Sequence, residues 1–256
     1  MTAKLSLRDV TKSFGSKTVL AGVTVDVQPG ESLVIIGGSG TGKSVTLKCI
    51  LGLLEADGGS IHCDGREITH ARGAERAAFL SRIGMLFQGA ALFDSLPVWQ
   101  NVAFGLIQGR GMAALEAKDV ALTKLAAVGL GPEVAALFPS ELSGGMQKRV
   151  SLARAIATDP EILFFDEPTT GLDPIMADVI NSLIRDRVDD LGATAISITH
   201  DMASVRKIAT KVAMLYQGRI IWCGPVEEID HSGNAFVDQF IHGRADGPIR
   251  MAVRAG

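Results

Sequence analysis

The sequence is poor in cysteine, in aromatic residues and in long apolar runs. Its three cysteines, Cys49, Cys63 and Cys223, stand alone and lack the spacing of a metal site, which favours reduced thiols in a cytosolic protein. Apolar runs such as 162–165 fall far short of the roughly 18 residues that span a bilayer. No basic segment followed by an apolar one opens the chain, so nothing in it predicts secretion.

Charge of one sign is lacking as well. The 25 basic and 28 acidic side chains are interspersed and leave a formal charge of −3, which argues against a surface that coats nucleic acid. Apolar residues make up 47% of the 256 residues, enough for one large α/β domain or a domain with an inserted subdomain.

The most specific pattern that is present is a glycine-rich loop between a buried strand and a helix. The apolar run 32–36 predicts the strand, and the apolar spacing of 45–51 predicts the helix. In that context G-x-x-x-x-G-K-[ST] is a phosphate-binding loop, because glycines let backbone N–H groups converge on an anion and the helix adds its positive end. We expect the lysine to reach the β- and γ-phosphates and the last hydroxyl to ligate Mg²⁺. The residues predicted to bind nucleotide here are Gly37, Gly38, Ser39, Gly40, Thr41, Gly42, Lys43, Ser44 and Val45.

Two acids follow the buried run 162–165. In open α/β sheets ligands lie at the carboxyl ends of the strands, which is where these acids are expected. Asp166 is predicted to organise Mg²⁺, and Glu167 to polarise the water that attacks the γ-phosphate. The alternative is that both acids only cap the start of the next segment.

Two further polar residues also end strand-like runs. His200 follows 193–199 and is a candidate for holding the attacking water, while Gln88 follows 83–87 and is a candidate ligand of Mg²⁺. Taken alone, a histidine at a strand end or a glutamine in a loop is more often structural.

A second helix start also has the character of an anion site. In Leu142-Ser143-Gly144-Gly145-Met146 the serine is a good N-cap and the glycines expose backbone N–H groups. No lysine or metal ligand accompanies this motif, so it is at most half of a site; the alternative is a plain capped helix.

The remaining patterns predict how these motifs are arranged. Short strands around 5–7, 23–27 and 60–68 suggest an antiparallel layer, whereas helical periodicity dominates between 90 and 157, at 98–107, 115–128 and 143–157. Strands and helices then alternate, which predicts a mostly parallel sheet flanked by helices. In this second part strands are expected at 162–165, 193–199 and 212–216, with a hairpin to 219–222, and helices at about 175–191 and 201–209.

The predicted fold class is therefore α/β, with an antiparallel layer and an inserted helical subdomain. We expect a single domain over 1–244, with a core of about 1–89 and 158–244 and a helical subdomain of about 90–157, followed by an extended tail over 245–256.

Taken together, the motifs stand in the order found in ABC-type ATPases, and the resemblance covers about residues 4–230. The stretch 37–44 resembles their Walker A motif, 142–146 the signature and 162–167 the Walker B motif. Gln88, Asp173 and His200 match the Q-loop, the D-loop and the switch histidine. The resemblance implies a P-loop NTPase of ABC type with a RecA-like core, which binds ATP and Mg²⁺ and hydrolyses ATP with Glu167 and His200.

The same resemblance implies a head-to-tail dimer of two copies of the chain. Each ATP would lie between the phosphate-binding loop of one copy and the signature of the other, which explains an isolated half-site. Phe14 matches the aromatic residue that stacks on adenine, where many relatives carry tyrosine; stacking needs only the face of a ring. The residues implied to act across the dimer are Leu142, Ser143, Gly144, Gly145, Met146 and Asp173.

A narrower resemblance, in 86–102 and in the tail, is to the Mla/Mkl ATPases of phospholipid transport between bacterial membranes. It implies as partners an MlaE-like permease dimer, an MlaD-like Mce protein and an MlaB-like STAS protein. It also implies a cytoplasmic subunit, peripheral on the inner face of the inner membrane. Leu92, Phe93, Leu96 and Trp99 would suit a coupling helix of the permease; alternatively they pack within the helical subdomain.

Three other functions compete with this interpretation. An importer ATPase for amino acids or another small solute would share every motif above. A nucleic-acid-associated ABC ATPase would need coiled-coil insertions or two cassettes, so no nucleic-acid partner is expected. A small-molecule P-loop kinase would leave 142–146 unexplained.

Overall fold

The computed structural model describes residues 2–250, which form two sheets and the helices around them. The strands, in chain order, are β1 (Leu5–Phe14), β2 (Lys17–Val27), β3 (Ser32–Ile36), β4 (Gly58–Cys63), β5 (Arg66–Glu67), β6 (Ile83–Leu86), β7 (Ile162–Asp166), β8 (Thr194–Ile198), β9 (Lys211–Tyr216) and β10 (Arg219–Pro225).

The helices are α1 (Lys43–Leu51), α2 (Gly73–Leu80), α3 (Val98–Phe104), α4 (Ala114–Ala127), α5 (Gly144–Ala155), α6 (Pro174–Leu191), α7 (Met202–Ile208) and α8 (Ala235–Ile241). A π-helical turn extends α3, and short 3₁₀ turns flank α4, α5 and α8. Among these helices of residues 2–250, none has both the length and the apolarity needed to cross a membrane.

The central sheet has the order β10-β9-β3-β8-β7-β6, and only β10 runs antiparallel to its neighbour. The antiparallel sheet has the order β2-β1-β4-β5. Side chains of a strand alternate between faces, so β3 serves two cores. Val34 and Ile36 pack with the helices α3 to α7 on one face, and Leu33 and Ile35 pack with α1 and the antiparallel sheet on the other. All five residues of β3 are buried, as expected of a strand that is covered on both faces.

The strands and helices predicted in the second part of the chain are confirmed to within a few residues, as is the hairpin of β9 and β10. Helix α2 was not predicted. The α/β class with a mostly parallel sheet and an antiparallel layer is confirmed, whereas the exact limits of a helical subdomain stay a prediction.

The tail differs from the expected extended segment. The buried amide Nε2 of Gln239 donates to the carbonyl oxygens of Arg244 and Ile249, each at 3.1 Å, and its Oε1 accepts from the N–H of Ile249 at 2.7 Å. A buried amide needs partners, and here the following residues supply them by folding back on α8. Extension is therefore wrong for 245–250, and residues 251–256 lie outside the described part.

Of the apolar residues proposed for a coupling helix, Leu92 and Trp99 pack against the core that α3 to α7 form with the central sheet. Phe93 remains 41% exposed and lies with its ring centroid 4.5 Å from that of Phe104, which is also exposed. The alternative of internal packing therefore holds for Leu92 and Trp99.

Candidate active site

The phosphate-binding loop connects the end of β3 to α1, and its glycines are required by close packing. A Cβ atom on Gly37 would lie 2.3 Å from the carbonyl oxygen of Leu215, and one on Gly42 would lie 2.7 Å from a methyl group of Leu20. Gly42 has a φ of 108° and precedes α1, whose first turn has no side-chain cap. The positive end of this helix is therefore open to an anion.

Lys43 is buried within this loop. Its Nζ donates to the carbonyl oxygens of Gly37, at 2.7 Å, and Gly38, at 3.0 Å. Burial lowers the pKa of Lys43, while the negative charges of Glu167 and Asp166 act in the opposite direction. The Lys43 ammonium thus holds the backbone of the predicted phosphate-binding loop, and the carboxylates of Asp166 and Glu167 are close enough to act on it.

Asp166 ends β7 beside α1. The hydroxyl of Ser44 donates to its Oδ1 at 3.4 Å. Burial, and then the charge of Glu167, raise the pKa of Asp166, so this carboxylate is in an environment that favours a bound cation. In residues 2–250 no group of three or more His, Cys, Asp or Glu could hold a metal by itself. The hydroxyl, amide and carboxylate of Ser44, Gln88 and Asp166 nevertheless fit Mg²⁺, which prefers a few oxygen ligands together with phosphate and water.

Glu167 and His200 are hydrogen-bonded to each other. The Nδ1 of His200 lies 2.9 Å from Oε2 of Glu167 and 3.0 Å from its Oε1, and the hydroxyl of Thr170 donates to Oε2 at 3.1 Å. The Glu167 side chain is 12% exposed and that of His200 is 62% exposed. Glu167 has a φ of 49°, a left-handed conformation that is unusual for a glutamate and typical of residues held for function.

These groups surround one cavity of about 500 Å³. Its walls bring together residues that follow β3, β6, β7 and β8 with residues of helices α1 and α8. The lining residues are Gly37, Gly38, Ser39, Gly40, Lys43, Ser44, Gln88, Glu167, His200 and Phe240. Most of the predicted phosphate-side residues therefore share one pocket, with Asp166 beside it through its bond to Ser44.

Other predicted residues lie outside the cavity walls. Thr41 holds the loop through a hydrogen bond from its Oγ1 to the carbonyl oxygen of Gly38, at 2.9 Å. Val45 packs against the core between the central sheet and the antiparallel sheet. Phe14 is 47% exposed at the end of β1, with Nζ of Lys12 5.7 Å from its ring centroid. Its role in stacking on adenine stays a prediction.

The motif at 142–146 lies at the start of α5 and does not line the cavity. Oγ of Ser143 accepts from the N–H of Met146 at 3.3 Å, and a Cβ on Gly145 would lie 2.7 Å from the terminal methyl group of Met176. Leu142 is buried, whereas Ser143 and Gly144 are exposed. Asp173 caps α6 by accepting from two backbone N–H groups at 3.0 Å. Within one chain these residues serve helix starts, and their role across a dimer stays a prediction.

Two residues near the cavity were not found by sequence reasoning. Lys148 on α5 is 6% exposed, and its Nζ donates to the carbonyl oxygen of Gln88 and, at 3.4 Å, to that of Glu167. Its position on a face of α5 shared with Ser151 and Ala155 could have signalled burial. Phe240 gave no such signal, because only the fold brings α8 to the loop.

Comparison of the sequence with known proteins identifies the family of this chain. The ABC transporter family model matches residues 20–170. The chain is 42% identical to the chloroplastic protein trigalactosyldiacylglycerol 3 of Arabidopsis thaliana, over 96% of this chain and 75% of that protein. It is 39% identical to the intermembrane phospholipid transport system ATP-binding protein MlaF of Haemophilus influenzae, over 96% and 93%. It is also 39% identical to the probable ribonucleotide transport ATP-binding protein mkl of Mycobacterium leprae, over 98% and 72%.

Solved structures agree with the sequence relatives. A dimeric ATP-binding cassette in a post-hydrolysis state, bound to ADP and Pi, superposes with a TM-score of 0.79 at 30% identity, over 87% of this chain and 98% of that one. The predicted family, nucleotide binding and ATPase activity are thereby confirmed. The chain belongs to the ABC transporter family and is one of its ATP-hydrolysing subunits.

Proposed function

We propose that this ATPase drives a transporter that moves phospholipid between bacterial membranes. The observation that carries the proposal is likeness over nearly the whole of both chains to MlaF, a protein named for intermembrane phospholipid transport. The name of the plant relative also refers to a lipid, a galactosyl diacylglycerol. The candidate site supports the catalytic half of the proposal, because a buried acid, a histidine and a phosphate-binding loop meet in one cavity.

Binding begins at the open end of α1. The ammonium of Lys43 and the N–H groups of the glycine loop neutralise and hold the β- and γ-phosphates. Ser44, Gln88 and Asp166 would hold Mg²⁺, which when bound supplies further neutralisation of phosphate charge. Burial and the charge of Glu167 disfavour the ionised state of Asp166, and a bound cation would offset part of that cost.

Hydrolysis depends on the pair of Glu167 and His200. The carboxylate of Glu167 orients a water and accepts its hydrogen bond as the water attacks the γ-phosphate. The hydrogen bond to Nδ1 of His200 fixes the carboxylate, and its exposed ring remains able to contact the transferred phosphate. The products are ADP and inorganic phosphate.

A second copy of the chain would complete the site. The glycines after Ser143 present a helix start without a cation, and a partner's signature motif of this kind would close over the γ-phosphate. Mg·ATP would thus favour a closed, head-to-tail dimer, and hydrolysis would reopen it; the differential contact with the γ-phosphate supplies the free energy of that change. The superposed solved cassettes, which are dimers, support this arrangement.

The partners that fit this function are a permease dimer like MlaE, an Mce protein like MlaD and a STAS-domain protein like MlaB. The chain would lie on the cytoplasmic face of the inner membrane, bound to the permease. The exposed pair of Phe93 and Phe104 supplies an apolar contact for a helix of the permease.

The test is to purify the chain with its native membrane partners and to extract and identify the bound small molecules. We expect co-purified phospholipid, and ATP hydrolysis that lipid stimulates, with Glu167→Gln as the inactive control. A complex that lacks phospholipid and is stimulated by an amino acid or a ribonucleotide would replace the lipid proposal with a small-solute importer.

A further inference from the structure

The loop after β6 contains two consecutive residues in an unfavourable backbone conformation. Ala90 has a φ of 60° and Ala91 a φ of 48°, both in the left-handed region. An L-residue other than glycine meets a steric penalty there because its Cβ crowds the following carbonyl group. Two such residues in succession persist only where their surroundings hold them, and they lie two and three positions after Gln88.

One face of α5 supplies what holds this loop. Oγ of Ser151 donates to the carbonyl oxygen of Ala90 at 3.0 Å, and the guanidinium of Arg154 donates to the carbonyl oxygens of Ala90 and Ala91, each at 2.7 Å. Nζ of Lys148 donates to the carbonyl oxygen of Gln88. Lys148, Ser151 and Arg154 recur at intervals of three and so share one side of the helix; we call them the α5 clamp.

The clamp is itself fixed to the sheet that carries the site. Lys148 also donates to the carbonyl oxygen of Glu167 at 3.4 Å, so one buried ammonium joins the Gln88 loop to the catalytic acid's backbone. At its C-terminal end, α5 packs so closely against β6 that a Cβ on Gly84 would lie 2.0 Å from the carbonyl oxygen of Ala155.

We propose that Lys148, Ser151 and Arg154 are positioning residues that hold Gln88 toward the phosphate cavity and tie its loop to the helix that begins with Ser143. The inference rests on the proposed role of Gln88 at Mg·ATP. A shift of this loop moves the three carbonyl groups that α5 grips, and the helix start intended for the partner's nucleotide moves with them. The clamp therefore links a chain's own site to the half-site that it offers to its partner.

The test uses Lys148→Met, which keeps the length of the side chain and removes its donor. The first measurement is hydrogen exchange of the buried Ala90 amide, which donates to the carbonyl oxygen of Phe87 at 2.9 Å, in the full, nucleotide-free chain. We expect exchange to rise by at least about tenfold, because a charge-assisted hydrogen bond to the loop is lost. The second is the Mg²⁺ concentration for half-maximal ATP hydrolysis, expected to rise about tenfold, while ATP affinity in EDTA stays within about twofold.

Three matched variants complete the experiment. Lys148→Arg restores a donor and should recover most of both values. Lys124→Met removes a partly buried lysine on α4 that pairs with Asp159, away from the clamp, and should change neither. Ser151→Ala removes one hydrogen bond with little change in volume and should raise exchange about threefold, which keeps the test decisive if Lys148→Met fails to fold.

Unchanged exchange of the Ala90 amide in a folded Lys148→Met or Ser151→Ala chain would overturn the inference. The exchange measurement needs no nucleotide, so it does not depend on the proposed function. If the wild-type chain has no Mg²⁺-dependent ATPase activity, the role of Gln88 at Mg·ATP fails instead, whatever the exchange values are.

Discussion

The starts of α1 and α5 are both glycine-rich helix N-termini, yet they differ in what surrounds them. Before α1, Gly42 offers no side-chain cap, and Lys43, Ser44 and Asp166 stand beside the open end. Before α5, Ser143 already occupies one N–H group of the helix. The first start has a lysine and the carboxylate that we propose to hold Mg²⁺, whereas the second has only its dipole and the remaining N–H groups.

This difference predicts which helix start controls ATP affinity and which is needed only for turnover. A helix end with a buried lysine can bind a nucleotide within a single chain, so affinity should depend on the α1 start. The α5 start lacks a cation, so we expect it to bind no nucleotide by itself and to contribute only where another chain presents one. Turnover should therefore depend on both starts.

The largest expected effect comes from Glu167→Gln, which leaves the α1 start intact. ATP binding should be retained and a dimer should accumulate with ATP, while turnover falls by about 100-fold or more, because the amide cannot accept the hydrogen bond of the attacking water as a carboxylate does. Steady-state hydrolysis and size-exclusion chromatography with ATP measure the two outcomes. Normal turnover in this variant would remove Glu167 from the catalytic role.

A smaller effect is expected from Ser143→Arg, which fills the α5 start with a long side chain. Hydrolysis should fall by at least about tenfold because the partner's half-site is blocked, while the ATP affinity of the single chain stays within about twofold. Thr123→Arg places the same side chain on an exposed position of α4 and should leave both values alone. Equal loss of binding and hydrolysis in Ser143→Arg would contradict a division between the two starts.

Asp166→Asn should stabilise the nucleotide-free protein although it impairs hydrolysis. The raised pKa of Asp166 means that the folded chain disfavours the ionised carboxylate, so a neutral amide removes a cost of folding. We expect the melting temperature to rise by about 1–3 °C. Asp178→Asn, which breaks a surface pair with Lys207 at 2.5 Å, should lower it slightly. A lower melting temperature for Asp166→Asn would show that the ionised carboxylate of Asp166 does not destabilise the folded chain.

The smallest effect concerns Glu161, which precedes β7 and forms ion pairs with Lys4 and Arg82. Hydrogen bonds from Arg82 and Lys4 lower the pKa of Glu161 from 4.5 to about 2. A lowered acid pKa adds stability above the unfolded value, and that contribution is lost as the pH falls from about 4.5 to about 2. Because half of the Glu161 side chain is exposed, the contribution is about 1 kcal/mol or less after screening.

Denaturant unfolding of the wild type and Glu161→Gln at several pH values measures this contribution. The difference in unfolding free energy should shrink towards zero across that window. A difference that does not change with pH would mean that Glu161 contributes through packing alone.

Sequence reasoning succeeded where chemistry and periodicity coincide. The glycine loop and the acids Asp166 and Glu167 could be placed because each follows a continuous apolar run. His200 could be placed because it follows the strand-like run 193–199, and all three runs become strands of the central sheet. Helix α2 was missed because it has only eight residues, of which Phe79 alone is buried, and so short an apolar pattern does not by itself predict a helix. Its fold depends on contacts that the sequence does not reveal.

The parts of the site that were missed depend on residues distant in the chain. The contact of Lys148 with Gln88 joins positions 60 residues apart, and Phe240 reaches the cavity from the last helix. Gln239 in turn folds the following segment back, through hydrogen bonds that no local pattern predicts. Side-chain donors that grip backbone carbonyl groups leave little trace in sequence, because any loop residue offers the same acceptor.

One glycine sets the spacing on which the two halves of the enzyme rely. With only a hydrogen at position 84, the backbones of β6 and α5 meet directly, leaving no room even for a methyl group. Alanine there would force α5 outward, withdrawing its donors from the Gln88 loop and displacing the start of α5. If two copies share their ATP sites as proposed, this substitution, remote from any phosphate, would slow both sites together.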